Sequence, residues 1–247
     1  MVQAPQRTAF SGPSLIRLLA RLTAVDVPES RQSLSDQLTQ WLGWADAISL
    51  SAALQGNPCA ISSGVRTNDR AEEREYTRVR TSLLNAIVGD SAFSAARPRG
   101  AALALRQGPP MNAVVDYAVF RQRYLALQQT MEMDIGNLRS RLRGMLVMRT
   151  PGMARLAAVD AVMEQALSPR ERSLLAAVPG LLSAHFMRLR EAYQEKQAMD
   201  PTSGDAAAVT SDLWLGVFRK DMQSVLLAEL DVRFQPVEGL LAALRTS

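Results

Sequence analysis

YAVFRQRYLALQQTMEMDIGNLRSRLRGMLVM, residues 117–148, is the stretch on which the fold turns. Tyr117, Tyr124, Met131, Leu138 and Met145 recur every seven residues, and Phe120, Leu127, Ile135 and Leu142 fill the same stripe. An apolar residue at every third or fourth position, sustained over four repeats, is the signature of a helix with one buried face. The spacing predicts one helix from about Met111 to Met148, spanning about 55 Å at ~1.5 Å per residue. A helix of that length packs against several partners or against another copy of itself. Two tyrosines and two methionines make the seam irregular, which favours a mixed intramolecular bundle over a two-stranded zipper.

The boundaries that follow are marked by turn and cap chemistry. Thr150-Pro151 opens a segment through Leu156, Val159, Met163 and Leu167, with proline in the first turn, where it is tolerated. Ser168-Pro169-Arg170-Glu171 reads as a capping box starting a new helix with Leu174, Leu175 and Val178. Pro179-Gly180 kinks or ends that helix, and Leu182, Phe186, Leu189 and Tyr193 continue it on one face. Met199 to Asp205 reads as a linker. Thr210, Ser211 or Asp212 caps a further helix carrying Trp214, Phe218, Met222, Val225 and Leu226, Pro236 interrupts it, and a last short helix holds Leu240, Leu241 and Leu244.

On the N-terminal side, Ser11, Gly12 and Pro13 precede Leu15, Leu18, Leu19 and Leu22, predicting a helix to about Thr23. Arg17 and Arg21 share its other side, so the Leu15 to Leu22 helix packs its leucines on the domain or, alternatively, makes peripheral contact with an anionic membrane surface. Leu34, Leu38, Trp41, Leu42 and Ala45 predict one kinked or two short helices, broken at Gly43, with Trp41 and Trp44 in the core. Gln55 to Pro58 ends that element, and Ser62 to Arg70 reads as a loop. From Ala71 a helix buries Val79, Leu83, Leu84 and Ile87, while Glu72, Glu73 and Glu75 pair with arginines such as Arg78 and Arg80. A Gly, Pro and Ala-rich connection runs from Gly89 to Pro110, with a short helix around Leu103. Gly108-Pro109-Pro110 marks a boundary between an N-terminal helical region, 1–108, and a C-terminal bundle, 109–247, with one continuous domain as the alternative. No alternating strand pattern occurs, so the expected fold is all-α, a multi-helix bundle of roughly seven to nine helices around one long central helix.

Composition sets limits on function. With 247 residues, 47% of them apolar, the chain can build a sizeable core. No run reaches the roughly 18 apolar residues of a membrane span, and Arg17 and Arg21 break the most apolar N-terminal stretch, which is therefore neither a spanning helix nor a good signal peptide. Cys59 is the only cysteine, so no intrachain disulfide forms and a cytoplasmic setting is expected. The net charge of +4 is a mild excess that names no partner. Lysine occurs only at Lys196 and Lys220, leaving 26 arginines among 28 basic residues, a skew that genomic base composition can produce.

Catalytic chemistry finds little to stand on. His185 is the only histidine, which removes every site needing two, and its surroundings hold neither a nucleophile elbow nor a glycine-rich oxyanion loop. It reads as a structural, hydrogen-bonded histidine. Cys59 has no activating neighbour in Asn57-Pro58-Cys59, and phosphate-cradling glycine loops are missing. No catalytic, cofactor-binding or metal-ligating residue is assigned, and an enzyme would need a site assembled from distant residues. The charge feature that stands out is Arg97 to Arg149, with nine arginines against Asp116, Glu132 and Asp134. Within it Arg139 and Arg143 lie one helical turn apart, and together with Arg149 they are the candidate contacts for phosphate or for a partner. A solvated helix end is the simpler reading, because a helix C-terminus favours cations.

Leu15-Ile16-Arg17-Leu18-Leu19-Ala20, Ser30-Arg31-Gln32 and Gln40-Trp41-Leu42-Gly43-Trp44-Ala45-Asp46-Ala47-Ile48 resemble an uncharacterised family of proteobacterial proteins of about this length, a domain of unknown function. The likeness extends through the long helix and transfers no site residue. Members of that family are often encoded beside envelope proteins with outer-membrane-protein-A-like domains, which implies a cytoplasmic accessory to an envelope-spanning assembly, and the adaptor reading adds docking at the inner face of the inner membrane. The expected function is a non-enzymatic helical adaptor or assembly protein that binds a partner protein or forms a homo-oligomer. A basic helical nucleic-acid-binding module is the alternative.

Overall fold

The computed structural model describes residues 14–23, 32–56, 69–93, 116–199 and 204–246. Among these residues every regular element is helical: α1 (Ser14–Thr23), α2 (Leu34–Trp41), α3 (Trp44–Gln55), α4 (Asp69–Val88), α5 (Tyr117–Val147), α6 (Pro151–Ala176), α7 (Val178–Met199) and α8 (Gly204–Thr246). The all-α bundle is as expected. Only Ala177 separates α6 from α7, so the two form one bent rod of 49 residues. Cys59, the Gly108 to Pro110 boundary, the Leu103 segment and the start of the long helix at Met111 lie outside the described residues.

The α5 seam does what its period requires. Phe120, Tyr124, Leu127, Met131, Ile135, Leu138, Leu142 and Leu146 are buried, and Tyr117 and Met145 pack partly buried beside them. Asp116 caps the helix, its carboxylate accepting from the Ala118 N–H at 3.0 Å. The seam is covered from within the chain, by α4, α6, α7 and α8. One apolar core joins Leu15 and Leu22 of α1, Leu83 and Ile87 of α4 and Phe93 to the C-terminal helices. An aromatic knot closes one end, with Phe218 of α8 lying 5.0 Å from Phe186 of α7 and 5.3 Å from Phe120 of α5 between ring centres.

Four boundaries differ from those the sequence suggests. Helix α6 runs straight through Pro169, so Ser168-Pro169-Arg170-Glu171 starts no helix, and the break falls at Ala177, with Pro179 in the tolerated first turn of α7. Helix α8 runs through Pro236 and, at 43 residues, exceeds the 31 of α5 as the longest element. It begins at Gly204, well before Thr210. An interior proline costs a helix ~3 kcal/mol, but Phe234, Val237, Leu240, Leu241 and Leu244 are all buried around Pro236. Tertiary burial therefore overrides the local penalty. Helix α4 starts at Asp69, two residues before Ala71.

Tyr117 links the core to the bend, its hydroxyl donating to the Pro179 carbonyl. Burial pushes its phenol up to about 12, with Arg121 opposing. A folded value above the unfolded one, ~10, gives a contribution that is complete below pH ~10 and lost as pH rises through about 12. Urea midpoints at pH ~9 and ~11 should fall on the alkaline side. Tyr117→Phe should shrink that fall; the same fall in both proteins would assign it to Tyr76 and Tyr124, whose phenols burial also holds up.

Candidate functional site

The arginines singled out by sequence meet carboxylates that are remote along the chain. Arg139 grips Asp160 of α6 through Nε at 2.9 Å and a terminal nitrogen at 2.6 Å. Arg143, one turn on, reaches Asp160 at 3.1 Å and also bonds Glu164. Two cations on one face of α5 thus oppose two anions on one face of α6, and the charges sum to zero. All four side chains are more than two-thirds buried, so a phosphate would have to compete with fixed internal carboxylates. Arg149 stands at the α5–α6 turn, half-buried, its backbone N–H on the Leu146 carbonyl. Likewise Arg141 meets Glu72 at 2.8 Å, and Arg123 pairs with buried Asp90. Among the described residues of the Arg97 to Arg149 interval, four of the six arginines meet carboxylates, while Arg97, Arg99 and Arg106 lie outside those residues.

Beneath this surface lies a polar hub that no local pattern announces. Glu229 of α8 is fully buried, and it accepts from the Tyr124 hydroxyl at 2.7 Å and from the Gln128 amide at 3.0 Å. Arg233, one turn along α8, pairs with it at 2.9 Å and reaches Glu171 of α6 at 3.4 Å. Gln128 also donates to the Leu175 carbonyl. Burial, then the charge and hydrogen bond of Glu229, keep the Tyr124 phenol protonated well above its ordinary range. Both Glu229 carboxylate oxygens, the Tyr124 hydroxyl, the Gln128 amide nitrogen and the Arg233 guanidinium are all engaged, as a buried network must be to hold a fold.

Arg233 leads from the hub to a cleft of about 470 Å³ between α5, α6 and α8, walled at one side by Trp41 of α2. Leu167, Leu174 and Val232 give it an apolar floor over buried Met131 and Ile135, and Arg139, Arg170, Arg172 and Arg233 stand around it with Glu132, Glu164 and Glu171. The Arg170 guanidinium lies 4.7 Å above the Trp41 ring. Gly136 of α5 also lines the cleft, and a Cβ added there would meet nothing within 4 Å.

The other candidates resolve as structure. His185 bonds Asp221 of α8 at 2.9 Å and tilts against Phe218. Among the described residues no group of three His, Cys, Asp or Glu side chains is placed to hold a metal, and no helix is long and apolar enough to cross a membrane. Leu15 and Leu22 of α1 are buried against the bundle, and Arg188 of α7 bonds the Leu22 and Thr23 carbonyls at its end. Lipid insertion of those leucines would require α1 to leave the fold.

The tryptophans reverse the expectation. Trp44 is 84% exposed and Trp41 only half-buried, so neither is core. Both short helices are capped locally: Ser33 with Asp36 in a reciprocal box, and the Gly43 N–H on the Asp46 carboxylate at 3.0 Å. The caps fix α2 and α3 as an exposed pair, with α3 laid against α6. In α3 the only charge is Asp46, yet no residue is buried, and Trp44, Ile48 and Leu54 face outward.

No curated protein and no solved structure matches this chain. A family model described as "Protein of unknown function (DUF3348)" matches residues 1–246, which is the whole of the helical assembly and both flanks of the cleft, and the chain therefore belongs to that family.

Proposed function

We propose that the protein is a non-enzymatic helical adaptor that docks a partner protein on the α2–α3 pair. The observation that carries this reading is α3 itself. An exposed apolar patch marks an interaction surface; α3 has no buried residue and holds Trp44, Ile48 and Leu54 exposed outside the core. Residues 32–56 contain no lysine or arginine. Anionic lipid and nucleic acid both require cations at the contact, so the surface suits a protein with an apolar face. The internal pairing of Arg139 and Arg143 weighs in the same direction. A location at the inner face of the inner membrane, beside an envelope assembly, rests on the family resemblance and the single cysteine.

The test is capture from the native host with the wild-type chain and with Trp44→Ser/Ile48→Ser, followed by reconstitution of the captured protein from purified components. Both side chains are outside the core, so the variant should melt as the wild type does while losing at least about tenfold in affinity, as hot-spot truncations do. A reconstituted complex of unchanged affinity would remove α3 from the interface. Self-association abolished by the same pair would identify the partner as a second copy.

A further inference from the structure

Three departures from good helix chemistry converge on the cleft. Pro236 lines it from α8, Pro169 sits in α6 between the lining residues Ser168 and Arg170, and Gly136 lines it from α5. Each lies inside a helix whose neighbouring turns are regular. Glycine costs a helix interior ~1 kcal/mol and proline ~3 kcal/mol. Pro236 has no N–H, so it leaves the carbonyl of Val232, another lining residue, without its helical donor. Sequences break local rules of this kind where a site requires it. The buried Glu229 and Arg233 hub fixes the wall beneath.

The charges select a ligand. Arg139 pairs with Asp160 and Glu164, Arg172 faces Glu132 at 3.6 Å, and Arg233 holds Glu229 and Glu171. Arg170 alone of the four lining arginines meets no carboxylate among the described residues, and its guanidinium is held in place over Trp41. The cleft thus joins an apolar floor to one uncompensated, oriented cation, at a volume typical of small-molecule sites. We propose that it binds a small amphipathic carboxylate, its apolar body on Leu167, Leu174 and Val232 and its anionic group on Arg170. This site shares Trp41 of α2 with the α2–α3 pair and uses no residue of α3, so the Trp44 and Ile48 test of docking leaves it untouched.

The probes are octanoate and octanol, each titrated by displacement of anilinonaphthalene sulfonate. Octanoate should displace the dye from a single site in the wild type. Gly136→Phe, whose Cβ has open space at this position, fills part of the cleft and should weaken both dye and octanoate about tenfold or more, with the melting temperature recorded alongside. Trp41→Ala removes the wall from outside the core and should act in the same direction, which keeps the test alive if the phenylalanine variant misfolds. Arg170→Gln should weaken octanoate about tenfold and spare octanol, the difference being one charge-assisted hydrogen bond. Undiminished octanoate binding in Gly136→Phe and Trp41→Ala, or equal loss of octanoate and octanol in Arg170→Gln, would overturn the proposal.

Discussion

Arg233→Met should destabilise the fold by ~3–5 kcal/mol, the usual result of removing one partner from a buried ion pair. Glu229 has no access to solvent, and Arg233, with 8% of its own side chain exposed, is its only cationic partner among the described residues. Without it the Glu229 charge would depend on the Tyr124 hydroxyl and the Gln128 amide alone. That loss is large against a total stability of ~5–15 kcal/mol. The double change Glu229→Leu/Arg233→Met should recover part of the loss, because a packed apolar pair avoids desolvating two charges. Recovery stays incomplete, since Tyr124 and Gln128 then lose acceptors at ~1–3 kcal/mol each. Urea unfolding of the two single variants and the double gives the coupling directly. A cost below ~1 kcal/mol for Arg233→Met would show that the hub is open to water.

How much of this was legible beforehand depends on the range of the interaction. The α5 seam was readable because a sevenfold repeat is a local property, and every seam residue named in the sequence is buried or packs against the core. The two interior prolines misled for the complementary reason. Their penalty is local, whereas Leu175 and Val178 near Pro169, and Phe234 and Val237 beside Pro236, gain from burial against other helices. Trp41 and Trp44 share the spacing of core residues, but spacing cannot say whether a partner helix lies opposite. Arg139 and Arg143 share one face of α5, as a spacing of four requires. Their counter-charges, Asp160 and Glu164, carry the same i, i+4 spacing on α6, yet only the packing of α5 on α6 brings the two pairs together. The cleft draws on four helices, and its sole local trace is the set of weak helix formers Gly136, Pro169 and Pro236.

Phe218→Ala should cost ~3–5 kcal/mol, as large-to-small changes in packed cores do. Its ring is fully buried and is the point where three helices meet: Phe186 of α7 at 5.0 Å, Phe120 of α5 at 5.3 Å and Tyr117 at 6.1 Å. Truncation removes the dispersion contacts of a whole ring and leaves a void that side chains on three separate helices cannot jointly fill. His185 and Asp221 flank the same place, so α7 would also lose its register on α8. The informative comparison is Trp44→Ala, a larger truncation of the same chemical kind at a position 84% exposed. It should shift stability by no more than ~0.5 kcal/mol, the range of ordinary surface changes. Thermal or urea unfolding of the two variants side by side measures the contrast. If Trp44→Ala were as damaging as Phe218→Ala, α3 would belong to the core and its surface would be closed to a partner. A large loss at Phe218 with none at Trp44 separates the aromatic residues that hold the bundle together from one that is available to bind.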